Sequence, residues 1–236
     1  MDQTLERPAA QPGAKIIGAV YLCYFVAAFS GIFLMKGIVI PTDPLATADN
    51  MLSHESMYRA GFAIGLVANA IYLAVTALFY RLFGPVNWNL SLIAAFLSFA
   101  GCVVQIFGGL LQLAPLVLLQ DSGAAQAFAV EQLHSAALLS FKLYAQVFNI
   151  SLVLFAAYDL LLGYLILRSK FLPRVLGAFL MIAGIGWLSF LWPPLAKALA
   201  SIVMPVGALA EISLMLWLLV RGVDIPVWQK RAADAG

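Results

Sequence analysis

The chain has 236 residues, of which 64% are hydrophobic and only 10% are charged. A soluble globular domain carries about 25% charged residues, so this composition excludes a water-soluble domain and indicates a polytopic membrane protein. The formal net charge of +2 is too small to suggest nucleic-acid binding. Cys23 and Cys102 both lie inside apolar runs, where we expect small core residues and not a disulfide.

Residues 1–15 are polar and rich in proline and alanine, which predicts a disordered tail. The apolar run after Lys15 continues to about residue 40. This is much longer than the hydrophobic core of a signal peptide, which has about 7–15 residues. We therefore interpret the run as a retained first helix.

A membrane-spanning helix needs about 20 mostly apolar residues. Six segments meet this requirement, which predicts an all-α bundle of six spanning helices: residues 16–40, 59–83, 89–119, 136–167, 174–192 and 199–221. The third and fourth are longer than the bilayer requires, so they should tilt or project beyond it. Together the six form one transmembrane domain over residues 16–222, followed by a C-terminal tail over residues 223–236.

The loops between these segments alternate in charge. Most basic residues lie in the two tails and in the second and fourth turns, namely Arg7, Lys15, Arg81, Arg168, Lys170, Arg174, Arg221, Lys230 and Arg231. The first, third and fifth loops hold just one lysine, Lys197, together with the acidic residues Asp43, Asp49, Glu55, Asp121 and Glu131. By the positive-inside rule, this pattern predicts that both termini are cytoplasmic. No convincing inverted repeat is present, so a repeat-based transporter is not supported.

Small and polar residues form a stripe along each of the second, third and fourth segments. The stripes are Gly61, Gly65, Asn69, Tyr72 and Thr76; Ser98, Gly101, Gln105, Gly108 and Gln112; and Lys142, Gln146, Asn149, Ala156 and Gly163. Small residues and amide hydrogen bonds determine which helix faces pack together in lipid. We therefore expect the three stripes to face one another, either as packing seams or, through Gln105, Gln112 and Gln146, as the lining of a polar cavity.

Asp159 and Glu211 are carboxylic residues within spanning segments. A charged side chain at this depth costs about 2.5–3.5 kcal/mol on insertion scales and has a partner or a task. Helical rise places Lys142 ~9 Å and Glu211 ~12 Å below the outer surface, so an ion pair between them is geometrically possible. For Asp159 the candidate partners are Arg81, Tyr80 and Ser98. Both carboxyl groups are candidates for binding or proton relay, with structural locks between helices as the alternative.

His54, Glu55, Glu131 and His134 lie near the outer face. These residue types bind metals, but nothing in the sequence fixes their mutual geometry, so no metal or other cofactor is expected. The sequence also contains no nucleotide-binding loop and no recognisable pairing of nucleophile and base. An intramembrane enzyme is therefore the least favoured function.

The fourth turn, Arg168-Ser169-Lys170-Phe171-Leu172-Pro173-Arg174-Val175-Leu176-Gly177, resembles the signature of a bacterial membrane family known as domain of unknown function 4386. Tyr80-Arg81 with Pro85-Val86-Asn87, and Glu211 with Trp217-Leu218-Leu219-Val220-Arg221-Gly222, extend the resemblance over nearly the whole chain beyond the tail. The resemblance implies a multi-pass protein of the bacterial inner membrane with no established activity.

Two functions follow from these observations. The first is a non-enzymatic module that binds membrane lipid, a small amphiphile or a partner protein through the polar face of the second to fourth helices. Basic residues near the outer face, Lys36, Arg59 and Lys142, favour this reading. The second is a small proton-coupled carrier that uses Asp159 and Glu211. The sequence identifies no ligand. It also does not determine the oligomeric state, because a GxxxG motif such as the one at Gly61 serves packing either within one chain or between two copies.

Overall fold

The structure is a computed structural model that describes residues 13–121, 123 and 127–234. Most of the predicted N-terminal tail therefore lies outside the described residues. Within the described part the chain is all-helical, and six helices are long and apolar enough to cross a membrane, as the sequence predicts. They are α1 (Ala14–Met35), α3 (Glu55–Phe83), α4 (Trp88–Gln120), α5 (Val130–Ser169), α6 (Arg174–Trp187), which continues as a 3-10 turn over Leu188–Leu191, and α7 (Pro193–Val220). Two shorter helices are α2 (Pro44–Ser53) and α8 (Ile225–Asp234).

Local sequence signals explain where several helices begin and end. Asp43 caps α2 by accepting a hydrogen bond of 2.9 Å from the Ala46 N–H, and Asn87 caps α4 in the same way through the Leu90 N–H. At the C-terminal end of α5, Lys170 has a left-handed backbone with φ 63°. That residue stops the helix. The basic turn at this point is therefore a sharp reversal and not a continuation of one long rod.

The predicted boundary between the last two spanning helices is wrong. The hydropathy pattern predicts a loop from residue 193 to residue 198, whereas α7 begins at Pro193 and includes Lys197. Proline is favourable in the first turn of a helix because its missing N–H would have no partner there and its φ is preset. The two adjacent prolines, Pro193 and Pro194, therefore start the helix instead of marking a loop.

The fourth spanning helix is longer than predicted. α5 is a continuous helix of 40 residues that begins at Val130, six residues before the predicted start. At 1.5 Å per residue it is ~60 Å long. Because the hydrocarbon core is only about 30 Å thick, the helix projects well beyond it, as the sequence predicts for this segment.

The bundle is organised around α5, which packs along α4 on one side and α6 on the other. α1 packs between α3 and α7, and α6 also contacts α7. Small residues permit the closest approach: a Cβ atom added at Gly163 of α5 would lie 2.6 Å from the carbonyl oxygen of Gly177 in α6. The main hydrophobic core lies between these helices in the half of the bundle nearer the basic turns.

The expectation that the three polar stripes face one another is only partly met. α4 and α5 do pack through their stripes, with Gly101 against Phe155 and Gly108 against Val147. The glycine face of α3 instead packs on α1, because Gly31 of α1 offers a second small residue opposite Gly61. A small-residue motif selects a partner with a matching small residue, and the sequence of α3 alone does not reveal which helix carries it.

The predicted C-terminal tail forms α8, which docks across the basic end of the bundle. The buried Trp228 indole donates a hydrogen bond of 3.0 Å to the Leu82 carbonyl of α3. Arg231 donates a hydrogen bond of 2.8 Å to the Arg168 carbonyl, and the Asp224 N–H donates to the Phe171 carbonyl at 3.1 Å. Amphipathic α8 therefore covers the turn between α5 and α6.

Candidate functional site: a buried carboxyl pair

Two carboxyl groups are buried at similar depth inside the bundle. Asp159 of α5 is 1% exposed and Glu211 of α7 is 6% exposed. Asp159 lies about nine residues before Arg168, and Glu211 about ten residues before Arg221. Both are therefore ~15 Å from the basic end along their helices, which is close to the middle of a hydrocarbon core about 30 Å thick.

Tyrosines from other helices complete the site. The Tyr21 hydroxyl of α1 donates a hydrogen bond of 2.7 Å to Oε2 of Glu211. The Tyr21 ring packs edge-on against Tyr72 of α3, with ring centroids 6.0 Å apart. Tyr72 in turn packs edge-on against Tyr158 of α5 at 6.4 Å. The rings of Tyr21, Tyr72 and Tyr158 therefore form a continuous row. The row begins at the partner of Glu211 and ends at the residue directly before Asp159.

Among the described residues, no group donates a hydrogen bond to the Asp159 carboxyl group. Neither Oδ1 nor Oδ2 has a hydrogen-bond partner among the described residues, and the same holds for the Tyr158 hydroxyl. The one ion pair in the described part of the chain, Arg59–Glu55, lies at the opposite end of α3 from the basic turns. Burial of two carboxylates at this depth without a cation is strongly unfavourable.

The structure contradicts the ion pair between Lys142 and Glu211. Lys142 is exposed, while Glu211 accepts its hydrogen bond from Tyr21. Because α7 begins at Pro193, Glu211 lies about 18 residues, or ~27 Å, from the end of α7 opposite the basic turns, and not ~12 Å. Lys142 is about 17 residues before Asp159 on α5, so ~25 Å separates them along the helix.

The expected partners of Asp159 are also wrong. Arg81 is exposed at the basic end of α3. The Ser98 hydroxyl lies 2.6 Å from the Thr76 hydroxyl and forms a hydrogen bond between α4 and α3 instead. Tyr80 packs its ring against Trp88, with centroids 4.8 Å apart. These contacts follow from the rotation of each helix, which polarity alone does not specify.

The amide candidates do not converge on one site. Gln105 donates a hydrogen bond of 2.9 Å to the Ser151 hydroxyl, which joins α4 to α5. Gln112 is buried, and its backbone carbonyl accepts a hydrogen bond from the Tyr58 hydroxyl. Gln146 is exposed on α5, and Asn149 is partly buried on the same helix.

The outer candidates form a surface network between α3 and α4. Arg59 contacts Glu55 at 2.6 Å and donates to Gln120 at 3.2 Å, while Gln120 donates to Glu55 at 2.7 Å. His54 contacts the Asn50 carbonyl through Nδ1 at 3.1 Å. No group of three or more metal-binding side chains occurs among the described residues. The structure therefore does not assemble His54, Glu55, Glu131 and His134 into a metal site.

Sequence reasoning missed Tyr21 and Tyr158 as parts of the site. Both stand in apolar segments where a tyrosine is ordinary, so the residues themselves carry no distinguishing signal. Their distance from the basic end of the bundle is the one feature that points to the site. Tyr21 lies six residues after Lys15 in α1, in the same half of the bundle as Asp159. A search for polar residues at matched depth on all six helices would have found them.

Comparison with known proteins identifies the family to which the chain belongs. A family model described as a domain of unknown function (DUF4386) matches residues 16–222. No curated protein and no solved structure matches the chain. The matched range covers the six spanning helices apart from the first two residues of α1, together with the basic turn and both buried carboxyl groups, whereas α8 lies beyond it. The chain therefore belongs to the family of membrane proteins defined by this domain of unknown function.

Proposed function

We propose that this integral membrane protein is a small proton-coupled carrier in which Asp159 and Glu211 form the proton-binding site. One observation carries this function: two carboxyl groups are buried at matched depth near the middle of the bundle, with a tyrosine and not a cation as the partner of Glu211. A site of this kind retains a proton when it is sealed and releases one when water reaches it.

The alternative, a module that binds a lipid or amphiphile between the second and fourth spanning helices, has less support. The side of α4 on which a ligand would lie is filled by Phe155 over Gly101, by Val147 over Gly108 and by Phe62 of α3 over Gly109. The polar groups there are also engaged, as the bond from Gln105 to Ser151 shows. The carboxyl pair, in contrast, retains unpartnered oxygen atoms.

The placement in the cell is part of the same proposal. Arg168, Lys170 and Arg174 lie at one end of the bundle together with Arg81 and Arg221. Basic residues of this kind are retained on the cytoplasmic side of a membrane. We infer a multi-pass protein of the bacterial inner membrane with both termini in the cytoplasm, so that the carboxyl pair lies between the two aqueous compartments.

Proton flux through reconstituted protein tests the proposed function. Purified protein in liposomes, with a trapped pH-sensitive dye and an imposed potassium diffusion potential, should acidify the lumen faster than empty liposomes. The variants Asp159→Asn and Glu211→Gln should lose this flux. Glu131→Gln is the matched control, because Glu131 is an exposed carboxylate at the outer end of the same helix as Asp159.

Infrared spectroscopy provides a second readout that does not depend on a transported substrate. A protonated carboxylic acid gives a C=O stretching band that carboxylates and amides do not give. Wild-type protein at neutral pH should show this band, and Asp159→Asn or Glu211→Gln should reduce it, whereas Glu131→Gln should leave it unchanged. A folded wild-type protein with no such band would contradict the proposed function.

A further inference from the structure

Unpartnered buried polar groups are concentrated on one side of the bundle. Four side chains in the described residues carry such atoms: Tyr158, Asp159, Trp187 and Ser189. All four are at most 8% exposed. Tyr158 and Asp159 belong to α5, and Trp187 and Ser189 belong to the junction of α6 with its 3-10 turn. The 3-10 turn packs against both α5 and α7, so these groups border one region.

Trp187 connects this junction to the carboxyl pair through α7. Its indole nitrogen lies against Gly207, because a Cβ atom added at Gly207 would lie 2.4 Å from Trp187 Nε1. Gly207 is four residues before Glu211, which is about one helical turn or ~6 Å. The unpartnered indole N–H is therefore about one turn from Glu211, on the side away from the basic end.

The depths of these groups form a graded series. Counted from Arg174 along α6, Trp187 lies ~20 Å and Ser189 ~23 Å from the basic end, beyond the carboxyl pair at ~15 Å. Ser189 is only a few residues from Trp192, which is exposed at the outer end. Unpartnered polar groups thus extend from the middle of the bundle towards the end opposite the basic turns.

The opposite direction is closed by apolar packing. Between the carboxyl pair and the basic end lie Leu165, Ile166, Leu214 and Leu218, which are at most 1% exposed. The buried Ser169 at this end is not an unpartnered group, because its hydroxyl donates to the Ile166 carbonyl at 2.8 Å. The two directions away from the pair are therefore chemically different.

We propose that ordered water bridges Ser189, Trp187 and the carboxyl pair, and that the pair exchanges protons with the end of the bundle opposite the basic turns. Buried polar groups in native proteins are hydrogen-bonded, and ordered water supplies the bonds that protein groups do not. A row of such waters conducts protons, whereas the apolar layer on the basic side does not. This route rests on the proposed function, because it assigns the side from which the same carboxyl pair is supplied.

Hydrogen–deuterium exchange of the carboxyl group tests the route. Reconstituted protein is transferred from H₂O to D₂O, and the shift of the protonated C=O band is followed by attenuated total reflection infrared spectroscopy. Trp187→Phe and Ser189→Ala should each retain the band but slow its shift about tenfold, as expected for loss of one hydrogen bond in the path. Retention of the band shows that each variant keeps a folded carboxyl site.

Two matched controls define the opposite result. Trp192→Phe removes an exposed indole from the same segment, and Ser169→Ala removes a buried serine at the basic end, so both should exchange at the wild-type rate. If Ser169→Ala slows the exchange while Trp187→Phe and Ser189→Ala do not, the route is overturned and the proposed function stands. If the wild-type protein shows no protonated carboxyl band, both are overturned.

Discussion

The Tyr21 hydroxyl of α1 and the Glu211 carboxyl group of α7 form a buried hydrogen bond of 2.7 Å between residues 190 positions apart. This bond connects the first and last spanning helices next to the carboxyl pair. It also gives Glu211 an orientation that Asp159, with no partner among the described residues, does not have. The two acids are therefore chemically unequal although both are buried.

Tyr21→Phe should lower the stability of the bundle by about 1–3 kcal/mol, because Glu211 would remain buried without its donor. Thermal unfolding in detergent, followed by circular dichroism, measures the change. Tyr24→Phe is the comparison, since Tyr24 lies beside Tyr21 on the same helix and is less buried. If the two variants unfold at the same temperature, the hydrogen bond between Tyr21 and Glu211 has no specific stabilising role.

Asp159→Asn should change stability by less than about 1 kcal/mol, because no cation is left unpaired when the carboxyl group is replaced by an amide of similar shape. A structural ion pair behaves differently, since removal of one partner costs about 3–5 kcal/mol. Chemical unfolding of the purified variant measures the difference. A large loss would show that Asp159 is a lock between helices and not a proton site.

Gly163→Ala should destabilise the contact of α5 with α6 by about 1–3 kcal/mol, because the new methyl group meets the backbone of α6 and one helix has to move. Gly65→Ala is the matched control, since nothing lies within 4 Å of a Cβ atom at that position. It should be neutral or slightly stabilising, because alanine favours a helix interior over glycine by about 0.5–1 kcal/mol. The midpoints of thermal unfolding should separate the two variants.

Trp228→Ala should release α8 from the bundle, because it removes a buried indole and its bond to Leu82. Trypsin cleavage after Lys230 and Arg231 should become faster, while the spanning helices remain folded, since local undocking does not require global unfolding. Ile225→Ala, at an exposed position of the same helix, should be cleaved like the wild type. An unchanged rate for Trp228→Ala would show that the indole does not hold α8 in place.

A fluorescent protein fused after Gly236 should be fluorescent, and alkaline phosphatase fused after Asp121 should be active. These reporters work on opposite sides of the inner membrane, and the proposed topology places the two positions on opposite sides. Activity of the phosphatase at the C-terminus would reverse the orientation. It would also assign the proton route from Ser189 to the cytoplasmic side.

The six-helix architecture could be predicted because a run of apolar residues is recorded directly in the sequence. The short helices α2 and α8 contain no such apolar run, because each is amphipathic and too short to span a membrane. Hydropathy therefore does not reveal them. The partner of Glu211 could not be predicted, because it depends on where α7 begins and on how α1 and α7 rotate against each other. Misplacing the start of α7 at Pro193 put Glu211 ~15 Å too close to that end of the helix and matched it to Lys142 instead of Asp159.

The length of α5 has a mechanical consequence. The helix ends next to the left-handed Lys170, where the chain reverses, and it begins at Val130 about 60 Å away. Asp159 lies about a quarter of the helix length from the end at Lys170. A tilt about Lys170 that displaces the far end by about 4 Å therefore shifts Asp159 by about 1 Å, so that a movement at the end opposite the basic turns reaches the buried acid reduced about fourfold.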